Sequence, residues 1–131
     1  MEDWAWGLPA AVGVALAEKQ PVVCLIGDGA AMYSIQALWT AVQEKLSIVM
    51  IVLNNHGYGA MKSFSQLLGN GEPPGIRLPG ISYLDIARGF GAVGVEVTQS
   101  SDIYQALQSA LPREGPTLID IQIDPNAGDL Y

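Results

Sequence analysis

A single carboxylate, Asp28, stands between two glycines at the end of an apolar run, in the stretch VVCLIGDGAAMYS at residues 22–34. An acid in this place either caps the helix that follows or holds a positively charged group, and for an acid taken alone capping is the commoner role. A pair of asparagines, Asn54 and Asn55, ends the next long apolar run. Together the two sites favour the second interpretation, which is metal binding.

The residues after Asp28 indicate what the metal would anchor. Ala30 and Ala31 open a predicted helix, whose free N–H groups and dipole attract an anion such as phosphate. Asp28 would repel that phosphate unless a divalent cation lay between them, and Mg²⁺ commonly takes one or two ligands from side chains and the others from phosphate and water. Asn55 offers a neutral amide oxygen as a second ligand, and the turn NHGYG offers a backbone carbonyl.

A rival motif, the dinucleotide fingerprint G-x-G-x-x-G, fails because Met32 occupies the position of its third glycine. The two glycines of GDG are interpreted as residues that let the backbone turn sharply and leave room for a ligand.

The elements that position these groups follow from the apolar pattern. Continuous β-branched runs predict buried strands at 21–26 and 47–53. Between them, Ile35, Leu38, Trp39 and Val42 recur at helical spacing and predict one amphipathic helix over 30–45. Elsewhere the sequence predicts helices at 8–19, 59–68, 82–91 and 100–111, strands at 92–97 and 116–123, and a loop at 69–80.

This alternation predicts one α/β domain over residues 1–131, doubly wound, with a mainly parallel sheet and helices on both faces. In such sheets ligands bind outside the carboxyl ends of the strands. Asp28 and the pair Asn54 and Asn55 follow two strands joined by one crossover, so we expect them to face the same crevice.

Composition excludes several classes of function. Half of the 131 residues are apolar and the formal charge is −7, which argues against a disordered chain and against nucleic acid as a partner. No basic cluster favours a membrane surface, and the apolar run IVMIVL at 48–53 is too short to cross a bilayer. The lone Cys24 forms no internal disulfide, so we expect a small buried residue and a reducing, cytoplasmic setting.

The pattern GDG, 24 intervening residues and then NN resembles the signature of thiamine diphosphate-dependent enzymes. Longer stretches resemble the benzoylformate decarboxylase branch of that family: GLPAAVGVALAE, IGDGAAMYSIQALWTA, NNHGYGAMKSF and LPGISYLDIARGFG. The similarity runs from about residue 7 to residue 124. It implies the thiamine diphosphate-binding fold, with thiamine diphosphate and Mg²⁺ as cofactors.

The resemblance also implies roles for individual residues, none of them catalytic. The implied metal ligands are Asp28, Asn55 and the carbonyl of Gly57. The implied cofactor-binding residues are Gly27, Gly29, Ala30, Ala31 and Tyr58, and the implied substrate-pocket residues are Ala60, Met61 and Phe64. Plain core packing is an equal alternative for Met61 and Phe64, and His56 is interpreted as an exposed turn residue.

The implied function is the diphosphate- and Mg²⁺-binding domain of a 2-oxo-acid decarboxylase, inactive by itself. The alternatives are a subunit of a split enzyme, an acetolactate-synthase-like carboligase, and a non-catalytic cofactor-binding module. The implied partner is a pyrimidine-binding domain, which these 131 residues do not contain. At residues 1–6, MEDWAW replaces the glycine-rich stretch that contacts the pyrimidine in the family. The apolar composition further predicts self-association, most simply as a two-fold dimer.

Overall fold

A parallel sheet forms the centre of this computed structural model, which describes residues 6–125. Most of the MEDWAW stretch therefore lies outside the described residues. The strands are β1 (Val22–Gly27), β2 (Ile48–Asn54), β3 (Val93–Val97) and β4 (Thr117–Gln122). The helices are α1 (Gly7–Glu18), α2 (Asp28–Ala31), α3 (Ala37–Gln43), α4 (Gly59–Leu67), α5 (Tyr83–Phe90) and α6 (Ile103–Ala110), the last preceded by a 3₁₀ turn at Ser100–Asp102.

The strand order is β1-β2-β4-β3, and every neighbouring pair is parallel. Gly27 at the end of β1 is paired with Leu53, one residue before the end of β2. The register therefore places Asp28 and Asn54 beside each other at the carboxyl edge of the sheet, as the sequence predicts.

Helices cover both faces of the sheet because the side chains of β2 alternate between two apolar clusters. Met50 and Val52 point to the face covered by α1, α2, α3 and α5, and Val49 and Ile51 point to the face covered by α6. This arrangement confirms the predicted α/β fold. On the α6 side the cover does not reach β1, where Val23 and Leu25 are 50% and 63% exposed.

Helix α5 shows the capping that its sequence predicts. The Ser82 hydroxyl accepts the N–H of Asp85 at 3.2 Å, and Gly91 ends the helix with a φ of 90°, which favours glycine. This fixed start buries the first helical residue, Tyr83, against the sheet.

The single helix predicted over 30–45 is wrong. The chain forms α2, a series of turns over 32–36, and then α3. The turns are held by bonds to the third residue back, such as the Ser34 N–H to the Ala31 carbonyl at 3.2 Å, and these wind the backbone more tightly than an α-helix. The tighter winding changes the buried face, so α3 buries Leu38 and Ala41 while Trp39 is 54% exposed.

The lone cysteine is buried, as expected, and burial raises the pKa of the Cys24 thiol.

Within residues 6–125, the helices are all too short or too polar to cross a membrane.

Candidate metal and diphosphate site

Two side-chain oxygens converge on one backbone N–H at the carboxyl edge of the sheet. The Gly57 N–H donates to Oδ2 of Asp28 at 2.8 Å and to Oδ1 of Asn55 at 3.2 Å. Asp28 begins α2 and Asn55 follows β2, so the convergence joins two segments that are 27 residues apart in the chain. The structure thus brings together the two side chains that the sequence predicts as metal ligands.

Asp28 does not act as the helix cap. The N-cap of α2 is Gly27, which makes no side-chain cap bond, and the carboxylate faces the turn after β2 instead. Asp28 is 2% exposed, and burial raises the pKa of its carboxyl group, although N–H groups of Gly29, Gly57 and Asn55 bond to it and oppose that rise. A bound cation would favour the ionised form of this carboxyl group.

Close contacts at three glycines explain why this site excludes side chains. A Cβ on Gly29 would lie 2.6 Å from Cδ1 of Tyr58, and a Cβ on Gly59 would lie 2.7 Å from Nδ2 of Asn55. A Cβ on Gly57 would lie 2.6 Å from the backbone oxygen of Ile76. Neither Gly27 nor Gly29 has a positive φ, so the turn at GDG uses no backbone conformation that is reserved for glycine, and the close approach of the Tyr58 ring leaves no space for a Cβ at Gly29.

The turn after β2 is held in an uncommon conformation. His56 is exposed, as expected, and has a φ of 60°, which non-glycine residues seldom adopt. Its N–H donates to Oδ1 of Asn54 at 3.1 Å, and its carbonyl accepts the Leu78 N–H at 2.9 Å. The Tyr58 N–H donates to the Ile76 carbonyl at 2.8 Å. The turn is therefore fixed to β2 on one side and to the loop at 76–78 on the other.

The opposite wall of the site is fixed by Tyr83. Its buried hydroxyl donates to the backbone carbonyl of Asp28 at 3.0 Å. Burial and the neighbouring carboxyl groups of Asp28 and Asp120 raise the pKa of Tyr83, so the hydroxyl keeps the proton that it donates.

The donor set fits Mg²⁺. Mg²⁺ takes oxygen ligands and is commonly bound through only one or two carboxylates. Residues 6–125 contain no cluster of three histidine, cysteine, aspartate or glutamate side chains, so a site rich in charged ligands is absent from that range. Asp28 supplies one carboxylate and Asn55 one amide oxygen. The Gly57 carbonyl accepts the Gly59 N–H at 3.1 Å and keeps a second lone pair for a cation.

The predicted cofactor-binding residues of α2 lie directly beside this donor set. Gly29, Ala30 and Ala31 are all buried, and Ala31 is fully enclosed in the apolar core. Contacts from Ala30 and Ala31 to a ligand would therefore come from their backbone. Gly27 has extended backbone and open space where a Cβ would stand.

An open cleft of about 590 Å³ lies next to Tyr58, whose ring meets that of Tyr33 edge-on at 5.9 Å between centroids. The predicted substrate-pocket residues Met61 and Phe64 of α4 line this cleft, and both are at least half exposed, which argues against plain core packing. Ala60 is not among the lining residues.

Two residues buried at this edge, Tyr83 and Asp120, are not among those that the sequence predicts for the site. Nothing in the pattern around Tyr83 marks it beyond its place as the first residue of a capped helix. Asp120 carried a signal, because a charged residue interrupts the otherwise apolar centre of PTLIDIQI. A buried charge in a central strand is costly and calls for a partner.

Residues 3–121 match the family described as thiamine pyrophosphate enzyme, C-terminal TPP binding domain. This chain belongs to that family. Thiamine pyrophosphate is thiamine diphosphate, so family membership agrees with the resemblance carried by the GDG and NN motifs. The four-stranded parallel sheet with its edge site is thus the cofactor-binding domain of a thiamine pyrophosphate enzyme.

Three similar proteins illustrate the relationship. Benzoylformate decarboxylase of Pseudomonas aeruginosa is 40% identical over 117 residues, which are 88% of this chain and 22% of that protein. Acetolactate synthase isozyme 1 large subunit of Escherichia coli is 36% identical over 121 residues, 91% of this chain and 22% of that protein. The thiamine diphosphate-dependent 4-hydroxybenzoylformate decarboxylase of Rhodococcus jostii RHA1 superposes with a TM-score of 0.89 at 45% identity, over 95% of this chain and 24% of that one.

This thiamine pyrophosphate domain therefore spans only about a fifth to a quarter of the length of these relatives.

Proposed function

We propose that this chain holds the diphosphate of thiamine diphosphate through Mg²⁺ and forms part of a 2-oxo-acid decarboxylase similar to benzoylformate decarboxylase. One observation carries the proposal, which is the convergence of the Asp28 and Asn55 oxygens on the Gly57 N–H at the strand ends of a thiamine pyrophosphate domain. Asp28, Asn55 and the Gly57 carbonyl hold the metal, and the metal neutralises the charge between Asp28 and the diphosphate.

Other residues of the site orient the cofactor. Backbone N–H groups near Gly29 and Ala30 bind the diphosphate, and Tyr58, held against Gly29, contacts the cofactor. When bound, thiamine diphosphate supplies the electron sink for decarboxylation, and the protein supplies position and electrostatics.

The substrate proposal rests on the cleft. Tyr33, Met61 and Phe64 give it a largely aromatic and apolar lining, which suits a 2-oxo acid with an aromatic side chain. Two relatives, a benzoylformate decarboxylase and a 4-hydroxybenzoylformate decarboxylase, support the same class of substrate. An acetolactate-synthase-like carboligase is the second candidate, supported by the 36% identity to the Escherichia coli protein. A split-enzyme subunit and a non-catalytic module are the remaining alternatives.

We expect this chain alone to give only background turnover of benzoylformate. The family uses a glutamate on a separate pyrimidine-binding domain to activate the cofactor, and the glutamates of residues 6–125, at positions 18, 44, 72, 96 and 114, are all exposed. General acid–base help and correct positioning each contribute several orders of magnitude in rate, at least about 10²-fold. A coupled aldehyde assay with saturating cofactor and Mg²⁺ measures the turnover.

The control for that assay is a full-length relative under the same conditions. Turnover near that of the relative, and lost in Asp28→Ala, would contradict the prediction. Activity that appears only on addition of a separately expressed pyrimidine-binding domain would support the split-enzyme alternative.

Self-association is proposed through the apolar strand face that α6 leaves uncovered. Val23 and Leu25 expose apolar side chains there, and exposed apolar surface favours association. We expect a two-fold dimer in sedimentation at high protein concentration, weakened by Leu25→Thr, which keeps strand propensity. Tyr104→Thr is the matched control, because Tyr104 is 70% exposed on α6. A wild-type chain that sediments as a monomer throughout would refute the proposal.

A further inference from the structure

Asp120 is a buried carboxylate that the proposed chemistry does not use. It lies near the end of β4 and is 3% exposed. Its Oδ2 accepts hydrogen bonds from Nδ2 of Asn54 at 3.3 Å and from Nε2 of Gln122 at 3.0 Å. Its Oδ1 is buried without a hydrogen-bond partner. Burial of a carboxylate costs free energy that an apolar side chain of similar size avoids. Packing alone therefore does not account for an aspartate here.

Asn54 connects this carboxylate to the turn that follows β2. Its backbone carbonyl is fixed by the Ile123 N–H at 3.0 Å, and its side-chain Oδ1 accepts the His56 N–H at 3.1 Å. A side-chain amide has one accepting end and one donating end, and only one orientation presents the oxygen to His56. A carboxylate accepts hydrogen bonds and does not donate them, so Asp120 pairs with the N–H₂ end of the Asn54 amide. This leaves the amide oxygen directed to the His56 N–H.

The orientation of Asn54 matters because the turn is strained. His56 adopts a φ of 60°, a left-handed backbone conformation that costs free energy for a residue with a Cβ. The bond from its N–H to the Asn54 oxygen offsets part of that cost. The same conformation directs the next N–H, that of Gly57, to both Asp28 and Asn55.

We infer that Asp120 is a positioning residue of the metal and diphosphate site, and that it acts through Asn54 to hold the turn at 54–58. The inference rests on the proposed function for its effect on Mg²⁺, but its effect on the turn itself does not depend on any ligand. Asp120 contacts Asn54 and Gln122, and its proposed effect on the metal is indirect.

The first measurement is amide hydrogen exchange in the metal-free chain. Asp120→Leu removes the acceptor and leaves the orientation of Asn54 unfixed, so we expect exchange at His56 and Gly57 to become about tenfold faster or more. Asp120→Asn is the matched control, because Asn54 and Gln122 both donate to one oxygen of the side chain at position 120, and this favours the amide orientation that keeps an oxygen there. Exchange in this variant should stay within about threefold of wild type. Unchanged exchange in Asp120→Leu overturns the inference, as does equal acceleration in both variants.

The second measurement is the Mg²⁺ concentration needed for half-maximal binding of thiamine diphosphate. Loss of an outer-shell partner typically costs about 10- to 100-fold in metal affinity, and we expect a shift in that range for Asp120→Leu but not for Asp120→Asn. In an Asn54→Leu background Asp120→Leu should have little further effect, because the amide through which Asp120 acts on the turn is already absent. A full shift in that background overturns the inference.

The thermal midpoint of the metal-free chain separates positioning from general stability. Asp120→Leu removes a buried carboxylate but leaves the Nδ2 group of Asn54 without an acceptor. These two effects oppose each other, so we expect only a small change in midpoint. If the midpoint of Asp120→Leu falls so far that partial unfolding explains its weaker response to Mg²⁺, Asp120 is a structural residue only. If the wild type shows no Mg²⁺-dependent binding while the exchange result holds, the proposed function fails and the positioning of the turn by Asp120 stands.

Discussion

Asp28→Asn is expected to weaken Mg²⁺-dependent binding of thiamine diphosphate by at least about 100-fold, because changes to outer-shell groups alone cost about 10- to 100-fold. Asp28 is the one carboxylate of the proposed donor set, so its loss removes a ligand and the charge that attracts the cation. Asparagine has nearly the same shape and still accepts the Gly57 N–H. Burial raises the pKa of the Asp28 carboxyl group, so the neutral variant loses no favourable charge on folding.

Titration calorimetry with Mg²⁺ present measures the effect. Asn55→Ala should also weaken binding, but less, because it removes a neutral ligand. Asp102→Asn is the matched control, since Asp102 is exposed in the 3₁₀ turn before α6 and its change should leave affinity as it was. Wild-type affinity in Asp28→Asn, or an equal loss in Asp102→Asn, would exclude Asp28 as a metal ligand.

Gly57→Ala should have the largest effect on stability among the glycines of the site. The added Cβ would stand 2.6 Å from the Ile76 carbonyl oxygen, and that oxygen cannot retreat freely because it accepts the Tyr58 N–H at 2.8 Å. Overpacking of this kind costs about 1–3 kcal/mol in the free energy of unfolding. The same displacement moves the N–H on which Asp28 and Asn55 converge, so cofactor binding should fall as well.

Gly13→Ala is the matched control for this substitution. Gly13 lies in the middle of α1 and is exposed, and apart from its chain neighbours and the backbone of its own helix nothing lies within 4 Å of the position that a Cβ would take. An alanine there should raise the free energy of unfolding by about 0.5–1 kcal/mol, since glycine weakens a helix interior. Chemical denaturation of both variants gives the comparison. A Gly57→Ala chain with wild-type stability and wild-type affinity would show that the turn adapts and does not depend on this glycine.

The sequence predicts the sheet well because its strands are marked by composition. β2 is buried on both faces and β1 on one. Each strand therefore consists of a short continuous apolar run that ends at polar residues. Once the two strands are parallel neighbours, Asp28 and Asn55 must lie at the same edge. The main features of the candidate site are therefore available from strand order and polar residues alone.

The features that the sequence does not predict depend on backbone bonds and on contacts between distant segments, which local residue patterns do not reveal. The break between α2 and α3 follows from backbone bonds at 32–36, although residues 30–45 have a helical pattern throughout. The need for glycine at position 29 comes from the ring of Tyr58, which lies far along the chain. The hydroxyl of Tyr83 reaches the Asp28 carbonyl across 55 positions. Only the tertiary structure shows such pairs.

The most direct test of the proposed metal and diphosphate site is calorimetric titration of the wild-type chain with thiamine diphosphate, with Mg²⁺ present and with Mg²⁺ removed by a chelator. We predict measurable but modest binding only when Mg²⁺ is present, since this chain holds the diphosphate end of the cofactor. Inorganic pyrophosphate with Mg²⁺ should compete, and thiamine without its phosphates should not. Equal binding with and without Mg²⁺ would contradict the assignment of Asp28 and Asn55 as ligands of a metal that anchors the diphosphate.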